Sequence, residues 1–342
     1  MKDKTQIVHL LDDVALGGVT KNLELFQHPA FGHRFKTIVE EAHPVWSIAP
    51  QFPDAGAIVV HFSISWNTLP FLYSLASRNS SAQLILVHHS YSREWEQLQV
   101  PDPTRFRSML KLAHKIFDQV ICVSNEQALW FAEATGLKSS KRQVIYPWSE
   151  MNNLVNIAQP HFSQHNPITI GAYGRFVREK GFDRLIEAVN KLGAQNDIKL
   201  KIGGFGPEEA ELRRLAAGNA NISFYGKVTD IDHYLEQCDI IAVPSRFEAY
   251  GLVATEARCA ARPILVSNVG GLPEQIGEAG ISVDFDDMEA IGRMLRNIRH
   301  LPLVNMSVAA RENCLRVTEQ RVADWIEVFE ALLGNECLEA AA

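Results

Sequence analysis

The sequence predicts an α/β protein that consists of two doubly wound units in tandem. Short apolar segments of strand length alternate with longer segments of helical periodicity, as in a parallel sheet covered by helices. This alternation stops in the polar segment QPHFSQHN, at residues 159–166, and then begins again. We therefore predict two Rossmann-like domains, residues 1–158 and 159–317, with the boundary at this polar segment.

Five strands and four helices are predicted in the first half of the chain. The strand segments are runs of Val, Ile and Leu with little alternation, which is typical of strands buried on both faces of a parallel sheet. They lie at 6–11, 57–61, 84–88, 120–123 and 144–146. The helices between them are predicted at 20–26, 68–77, 105–117 and 125–133.

The second half repeats this organisation and ends in an amphipathic segment. Strands are predicted at 168–173, 199–203, 222–225, 240–243, 264–266 and 281–283, and helices at 183–191, 208–215, 231–237, 252–260 and 288–299. Apolar residues at helical spacing, from Val322 to Leu333, predict a last helix over 318–334. The pattern leaves open whether this helix packs on the second unit or returns to the first.

Composition argues against several classes of protein. The net charge of −7, from 33 basic and 40 acidic residues, does not favour a nucleic-acid-binding surface. Five scattered cysteines without a CxxC pair give no zinc ribbon or disulfide framework, and reduced thiols indicate a cytoplasmic protein. No apolar run approaches the roughly 20 residues that span a bilayer, and the N-terminus lacks a signal-peptide pattern. Peripheral contact with the inner face of a membrane stays open, because the helix at 105–117 is basic and amphipathic.

A basic loop, GRFVREKG at residues 174–181, follows one predicted strand and precedes a helix. Free backbone N–H groups at a helix N-terminus bind anions, and Arg175 and Lys180 would add charge-assisted hydrogen bonds to phosphate oxygens. Arg178, beside Glu179, is expected to face solvent. A solvated basic loop is the alternative, and the position at a strand's carboxyl end favours a phosphate site. With two such units, the expected site is the cleft between them.

Two carboxylates, Glu248 and Glu256, have seven residues between them in EAYGLVATE. Glu248 is predicted in the loop after the strand 240–243, and Glu256 in the helix that follows. Eight positions span at most about 12 Å of helix, which exceeds the roughly 5–5.5 Å between the paired carboxylates of a retaining glycosidase. We therefore interpret them as separate anchors for hydroxyl groups at two ends of an extended ligand. Ordinary helix charges are the alternative, which the spacing alone favours.

Five segments together resemble one family, the retaining glycosyltransferases of the GT-B fold in the large glycosyltransferase family 4 group. They are GRFVREKG, GGFGPEEAELRRL, YGKVTDIDHYLEQCDIIAVPS, EAYGLVATE and VSNVGGLPEQI, in the family's order over residues 171–276. The first half resembles the family only through HLLDDVALGGVTKNLELF, LVHHS and VICVS, together with the final helix. The resemblance implies two Rossmann-like domains facing across a cleft, with the final helix returning to the first domain.

The resemblance also implies a role for individual residues in binding a nucleotide-diphosphate sugar. Arg175 and Lys180 would bind the diphosphate, Glu248 the hydroxyls of the transferred sugar, and Glu256 the ribose. The other donor-site residues implied are the glycines Gly17, Gly18, Gly204, Gly270 and Gly271, and the pair Lys227 and Val228 beside the nucleobase. No metal or other cofactor is expected, because the family works by metal-independent front-face substitution with retention.

Two histidines lie where the family often has a histidine near the donor sugar. They are His88 and His89, at the end of the strand 84–88. His89 is predicted to be catalytic, together with Arg175, Lys180 and Glu248, and His88 is the alternative to His89. The segment DFD at 284–286 has the form of a metal-binding DxD motif, but it precedes a helix. Asp286 or Asp287 is therefore interpreted as an N-cap.

Two departures from the family pattern concern single residues. Family members usually have glycine where Ala261 ends a helix, and a positive φ there would cost alanine on the order of 1 kcal/mol. GGFG at 203–206 replaces the commoner Gly-Asp-Gly, and we expect no consequence.

The sequence therefore predicts an enzyme that transfers a hexose from a UDP- or GDP-sugar to a glycan or lipid-linked acceptor, in polysaccharide or lipopolysaccharide biosynthesis. Two alternatives stay open. One is a sugar-nucleotide epimerase of the same architecture, for which no acid/base pair can be assigned. The other is a non-catalytic scaffold that binds nucleotide sugars, against which the presence of Arg175, Lys180, Glu248 and Glu256 argues.

Overall fold

Each half of the chain forms a six-stranded parallel sheet covered by helices, whereas the sequence predicts five strands in the first half and six in the second. The computed structural model describes residues 4–13, 17–45, 48–151, 153–193 and 197–334. Unit 1 comprises Met1–Glu150 together with Val317–Ala342, and unit 2 comprises Met151–Arg316.

The sheet of unit 1 has the strand order β2-β1-β3-β4-β5-β6. Its strands are β1 (Thr5–Leu11), β2 (Phe35–Glu41), β3 (Ala55–Val60), β4 (Gln83–His88), β5 (Gln119–Cys122) and β6 (Arg142–Val144). Its first six helices are α1 (Gly18–Leu23), α2 (Pro29–Arg34), α3 (Leu69–Arg78), α4 (Arg93–Gln99), α5 (Pro103–Ala113) and α6 (Asn125–Thr135).

The sequence analysis missed one strand of unit 1, β2, and the helices α2 and α4. β2 is an edge strand that pairs in parallel with β1, for example Val39 opposite His9. Its sequence FKTIVEE contains charged and largely exposed residues, so it lacks the apolar run that identifies the central strands.

The sheet of unit 2 has the strand order β12-β11-β10-β7-β8-β9. Its strands are β7 (Ile168–Arg175), β8 (Ile198–Phe205), β9 (Ile222–Gly226), β10 (Ile240–Val243), β11 (Ile264–Ser267) and β12 (Gly280–Val283). Its helices are α7 (Phe182–Lys191), α8 (Glu209–Ala216), α9 (Ile231–Glu236), α10 (Leu252–Cys259), α11 (Met288–Arg296) and α12 (Leu303–Glu312). All six strands were predicted, whereas α12 was not.

The last helix, α13 (Val317–Leu333), packs on unit 1. Trp325 and Phe329 are buried there against phenylalanines, with ring centroids 5.2 Å apart for Trp325 and Phe26 and 5.4 Å apart for Phe329 and Phe35. The indole N–H of Trp148 donates to the Thr318 hydroxyl at 2.9 Å. Unit 1 therefore has an aromatic layer that two distant parts of the chain complete.

Residues 151–158, which the sequence analysis placed in the first domain, pack with unit 2. The Arg262 guanidinium donates to the carbonyl oxygen of Ala158 at 2.8 Å, and that of Arg311 donates to the carbonyl of Ile157. The division of the chain therefore lies between residues 150 and 151, because these two arginines bind the backbone ahead of the polar segment.

The acidic segment at 284–287 caps a helix. The Asp287 carboxylate accepts hydrogen bonds from the backbone N–H groups of Glu289 and Ala290, at 2.9 Å each, and is the N-cap of α11. Asp286 forms an ion pair with Arg184. Within the described ranges, no helix is both long and apolar enough to cross a bilayer.

Candidate functional site

The candidate site lies at the carboxyl ends of the strands of unit 2, where the chain changes direction across the sheet. β7 has β8 on one side and β10 on the other, so the connections that leave β7 and β10 diverge. Ligands of doubly wound sheets bind at such a switch point. The loop after β7 carries Lys180, and the loop after β10 carries Glu248.

Lys180 and Glu248 form an ion pair. The Lys180 ammonium lies 2.5 Å from Oε2 of Glu248, and the two side chains are 31% and 17% exposed. The hydroxyl of buried Ser245 also donates to this carboxylate, at 3.4 Å. The two residues that the sequence assigned to phosphate and to sugar therefore touch each other.

Arg246 joins the two loops that carry this pair. Its backbone N–H donates to the Glu179 carbonyl at 2.7 Å, and its guanidinium donates to the Arg178 carbonyl at 2.6 Å. The guanidinium also makes a bidentate pair with Asp183 of α7, at 2.8 and 2.6 Å. Burial raises the pKa of Asp183, but the hydrogen bonds and charge of Arg246 outweigh it and hold that pKa below its usual range. The sequence analysis missed Arg246, because its role depends on a partner 63 residues away.

Two glycines allow the loops to approach this closely. Gly181 has φ +65°, and a Cβ there would lie 2.0 Å from the Pro244 carbonyl oxygen. Gly270 has φ +49°, and a Cβ there would lie 1.8 Å from the Glu248 carbonyl oxygen. The backbone N–H of Gly271 donates to the same carbonyl at 3.3 Å. Gly270 and Gly271 therefore fix the backbone of Glu248, and a side chain at position 270 would displace it.

Glu256 is a buried residue of α10, only 5% exposed, so the alternative of an ordinary surface charge is wrong. The Tyr173 hydroxyl on β7 donates to its Oε2 at 2.6 Å. Burial, together with the charge of Glu256, raises the pKa of Tyr173 well above its usual value. This contact places the carboxylate beside β7.

The ends of β8 and β9 carry an exposed aromatic ring and a cation. Phe205 lies opposite Arg175 in the parallel ladder, Gly204 lies opposite Gly174, and the Phe205 side chain is 55% exposed. The Lys227 ammonium lies 5.3 Å from the centroid of the Phe205 ring, and Val228 follows it. The sequence analysis expected no consequence from Phe205. Its exposed ring offers a stacking surface, and the aromatic residue in the glycine segment was the available signal.

The remaining candidates lie in unit 1. Gly17 is the N-cap of α1 and Gly18 its first residue, both exposed. His88 is 5% exposed and packs edge-on against Phe131, with ring centroids 4.9 Å apart. His89 is partly exposed and lines a small pocket at the carboxyl ends of β3 and β4. Burial lowers the pKa of His88 to about 3 and that of His89 to about 4, so both are neutral near pH 7.

Comparison with known proteins identifies the class. Residues 156–314 match the family described as glycosyl transferases group 1. The matched residues include all five motif segments, so the resemblance of unit 2 to glycosyltransferases is confirmed. A curated relative is the GDP-mannose-dependent monoacylated alpha-(1-6)-phosphatidylinositol monomannoside mannosyltransferase of Corynebacterium glutamicum. It is 31% identical over 161 residues, which are 44% of this chain and 42% of that protein. The chain spans about half the length of the curated relatives it matches, between 42% and 53%.

Two solved structures cover nearly the whole chain. A glycosyltransferase from Rickettsia africae matches with a TM-score of 0.74 at 17% identity, over 98% of this chain and 100% of that one. Anabaena Alr3699/HepE, solved with UDP and glucose, matches with a TM-score of 0.71 at 17% identity, over 96% and 100%. The likeness shows the fold. The two doubly wound sheets have the GT-B fold.

Proposed function

We propose that the protein is a retaining glycosyltransferase that moves a hexose from a UDP- or GDP-sugar to a glycan or lipid-linked acceptor. The observation that carries this proposal is the ion pair of Lys180 with Glu248 at the switch point of unit 2. An ammonium group binds phosphate, and a carboxylate accepts hydrogen bonds from sugar hydroxyls. The pair thus holds, side by side, the two chemistries that a nucleotide-diphosphate sugar requires.

Donor binding would exchange this pair for contacts with the ligand. Both side chains are partly exposed, and such pairs contribute about 0–1 kcal/mol. A hydrogen bond to a charged group contributes roughly 1.5–3 kcal/mol. Lys180 therefore gains by turning from Glu248 to a diphosphate oxygen, and Glu248 then becomes free to accept hydrogen bonds from the sugar.

The order of the strands supports an extended pose for the donor. Neighbouring strands lie about 4.8 Å apart, so the row from β10 to β9 spans roughly 14 Å. Along this row come Glu248, then Arg175 with Lys180, then Phe205, and then Lys227. We assign the sugar to the end of β10, the diphosphate to β7 and the nucleobase to β8 and β9. Glu256, held beside β7 by Tyr173, takes the ribose.

The reaction breaks the bond between the anomeric carbon and the diphosphate oxygen. Lys180 and Arg175 neutralise the charge that develops on the leaving diphosphate, where a preorganised cation lowers the barrier most. The acceptor hydroxyl attacks from the same face of the sugar as the leaving diphosphate, which retains the anomeric configuration. Its proton passes to the departing phosphate oxygen. These two cations supply the charge that a divalent metal supplies elsewhere, so we propose a metal-independent reaction.

The proposed acceptor is inferred from one relative and from the surface of α5. The name of the corynebacterial relative describes a lipid-linked mannoside as its acceptor. In this chain α5 presents exposed Arg105 and Lys111 beside exposed Leu112, which suits an anionic surface. We therefore propose a lipid-linked acceptor or a glycan, with peripheral contact at the membrane face.

A turnover assay tests the proposal. The protein would be incubated in EDTA with UDP- and GDP-hexoses, and with glycan and lipid-linked acceptor fractions, with and without anionic vesicles. We expect product with the anomeric configuration of the donor, as read by NMR. An inverted product contradicts retention, and loss of activity in EDTA contradicts metal independence. A changed sugar or free nucleotide without acceptor identifies an epimerase, and binding without turnover identifies a scaffold.

A further inference from the structure

Three histidines of unit 1 form a hydrogen-bonded chain from the core to the pocket that His89 lines. Nδ1 of His9, on β1, lies 2.9 Å from Nε2 of His61, which follows β3. Nδ1 of His61 lies 3.0 Å from Nε2 of His89, which follows β4. His9 is fully buried, His61 is 5% exposed and His89 is partly exposed. His61 and His89 line the pocket, with Ser63, Ser90 and Tyr91.

The two hydrogen bonds between the histidines couple the tautomers of the three rings. A neutral imidazole has one N–H, and each of the two hydrogen bonds needs one hydrogen. If His61 donates from Nδ1, His89 accepts at Nε2 and carries its hydrogen on Nδ1, while His9 donates from Nδ1. If His61 donates from Nε2, all three hydrogens move to Nε2. Only these two arrangements satisfy both hydrogen bonds.

His9, at the buried end of the row of three histidines, determines which of the two arrangements is favoured. Nε2 of His9 is buried and, in the described part of the chain, has no hydrogen-bond partner, and the His9 ring lies against Phe26, with centroids 4.2 Å apart. A hydrogen on this nitrogen would be a buried N–H without an acceptor, which is the rarer kind of unpaired group. The arrangement with all hydrogens on Nδ1 leaves only a lone pair without a partner.

We propose that His9 and His61 are positioning residues that hold His89 in its Nδ1–H tautomer, so that His89 offers a hydrogen-bond donor to an oxygen acceptor of the substrate. Among the described residues, Nδ1 of His89 has no partner and is not one of the fully buried polar atoms. In this tautomer Nδ1 cannot take up a proton from a substrate hydroxyl. His89 therefore binds a hydroxyl or phosphate oxygen and does not act as a general base. That role rests on the proposed function, whereas the tautomer itself does not.

The tautomer can be measured without a ligand. In 15N NMR, the protonated and unprotonated nitrogens of a neutral imidazole resonate far apart, and histidine-labelled protein near pH 7.5 resolves them. We expect Nδ1 to be the protonated nitrogen in all three rings. Protonation of Nε2 in His89 overturns the proposal, as does any mixture of tautomers among the three rings.

Two variants separate positioning from simple packing. His9→Phe removes the buried end of the chain without altering a residue that lines the pocket, and we expect the Nδ1 signal of His89 to shift toward a mixture of tautomers. His88→Phe, the matched control, changes the neighbouring buried histidine outside the chain and leaves the His89 signals in place. An unchanged His89 in folded His9→Phe overturns the positioning role. If His9→Phe does not fold, the 15N spectrum of the unmodified protein still tests the proposed tautomer of His89. If neither UDP nor GDP binds but His89 is found in its Nδ1–H tautomer, the proposed function is wrong. The hydrogen-bonded chain of His9, His61 and His89 is then still supported.

Discussion

At the residue scale, the ion pair of Lys180 with Glu248 neutralises the charges of both side chains in the candidate site. Its two charges satisfy each other, and the flanking contacts of Arg246 and Gly270 keep them in reach. Under the proposed function, the donor diphosphate therefore competes with Glu248 for Lys180. Substitution of Lys180 should therefore weaken the binding of UDP or GDP, whereas substitution of Glu248 should leave it unchanged or strengthen it.

Glu248→Gln separates binding of the nucleotide from binding of the sugar. The substitution frees Lys180, so we expect UDP or GDP alone to bind as well or up to about fivefold more tightly, which corresponds to about 1 kcal/mol. Turnover of the sugar nucleotide should fall about 10- to 100-fold, since a charged hydrogen bond to the sugar is lost. Calorimetry and initial rates measure the two effects. A parallel loss of UDP and GDP affinity would show that Glu248 does not compete for Lys180.

Phe205→Leu tests the surface assigned to the nucleobase. Stacking of a base on an aromatic ring contributes about 1–3 kcal/mol, so we expect UDP or GDP to bind about 10- to 100-fold more weakly. Inorganic pyrophosphate, which has no base, should bind this variant and the native protein equally. The matched control is Phe224→Leu on neighbouring β9, where the ring packs on Phe176 and Arg213. Equal losses for UDP or GDP and pyrophosphate would contradict a stacking role.

At the element scale, the end of α10 contains the strain that the sequence predicts. Ala261 has φ +55° and is the one residue other than glycine with positive φ in the described ranges. The N–H of Arg262 bonds to the Ala257 carbonyl and that of Ala261 to the Arg258 carbonyl, at 2.8 Å each. These bonds form a Schellman motif with alanine at the position that favours glycine.

Ala261→Gly should stabilise the protein. Relief of the left-handed conformation contributes up to about 1 kcal/mol, and loss of a buried methyl group offsets part of it. We expect a rise of a few degrees in Tm, measured by thermal unfolding, with Ala260→Gly as the control. Ala260 is the adjacent residue with φ −76°, and glycine there should destabilise. A lower Tm for Ala261→Gly would mean that packing of the methyl outweighs the strain.

The elements that the sequence predicts well are those whose environment is uniform along the segment. The central strand β10 is apolar throughout, β4 is apolar from Leu84 to Val87, and the helical stripe of α13 contains Trp325 and Phe329 at the expected spacing. β2 was not predicted from the sequence, because an edge strand needs no apolar run. The N-cap Asp287 and the strained Ala261 were predictable because both depend on chain neighbours.

At the scale of the whole molecule, the three buried histidines of unit 1 and the partly exposed His89 make the stability depend on pH. Burial lowers the pKa of His9 and His88 to about 3 and that of His89 to about 4, and it lowers that of His61 well below 6.5. These groups therefore bind protons in the unfolded chain below pH 6.5, but not in the folded one. Their contribution to stability is complete above that pH and is lost as pH falls toward the folded values.

Thermal or denaturant unfolding between pH 7.5 and 4.5 measures this dependence. Each such histidine adds about 1.4 kcal/mol of stability lost per pH unit below about pH 6.5. His88→Phe removes one of these groups, so we expect a shallower slope by about that amount. A stability that does not change between pH 6.5 and 4.5 would contradict neutral buried histidines.

Contacts between distant segments mark the limit of sequence analysis for this chain. The partners in the histidine chain are 52 and 28 residues apart, and Arg246 meets Asp183 across 63 residues. The motifs located Lys180, Glu248 and Glu256 on their elements, but they did not show that Lys180 pairs with Glu248 or that Tyr173 binds Glu256. Which strand ends become neighbours depends on the sheet order, and that order is a property of the whole fold.

The most direct test of the account is calorimetry of UDP and GDP binding in EDTA, with Lys180→Ala compared with Arg178→Ala. Both substitutions remove one positive charge from the same loop, and Arg178 is exposed while Lys180 lies against Glu248. We expect one nucleotide to bind the native protein and Arg178→Ala alike, and Lys180→Ala to bind it at least 10-fold more weakly. No binding of either nucleotide to the folded native protein, or equal losses in the two variants, would contradict a donor site at the ends of β7 and β10.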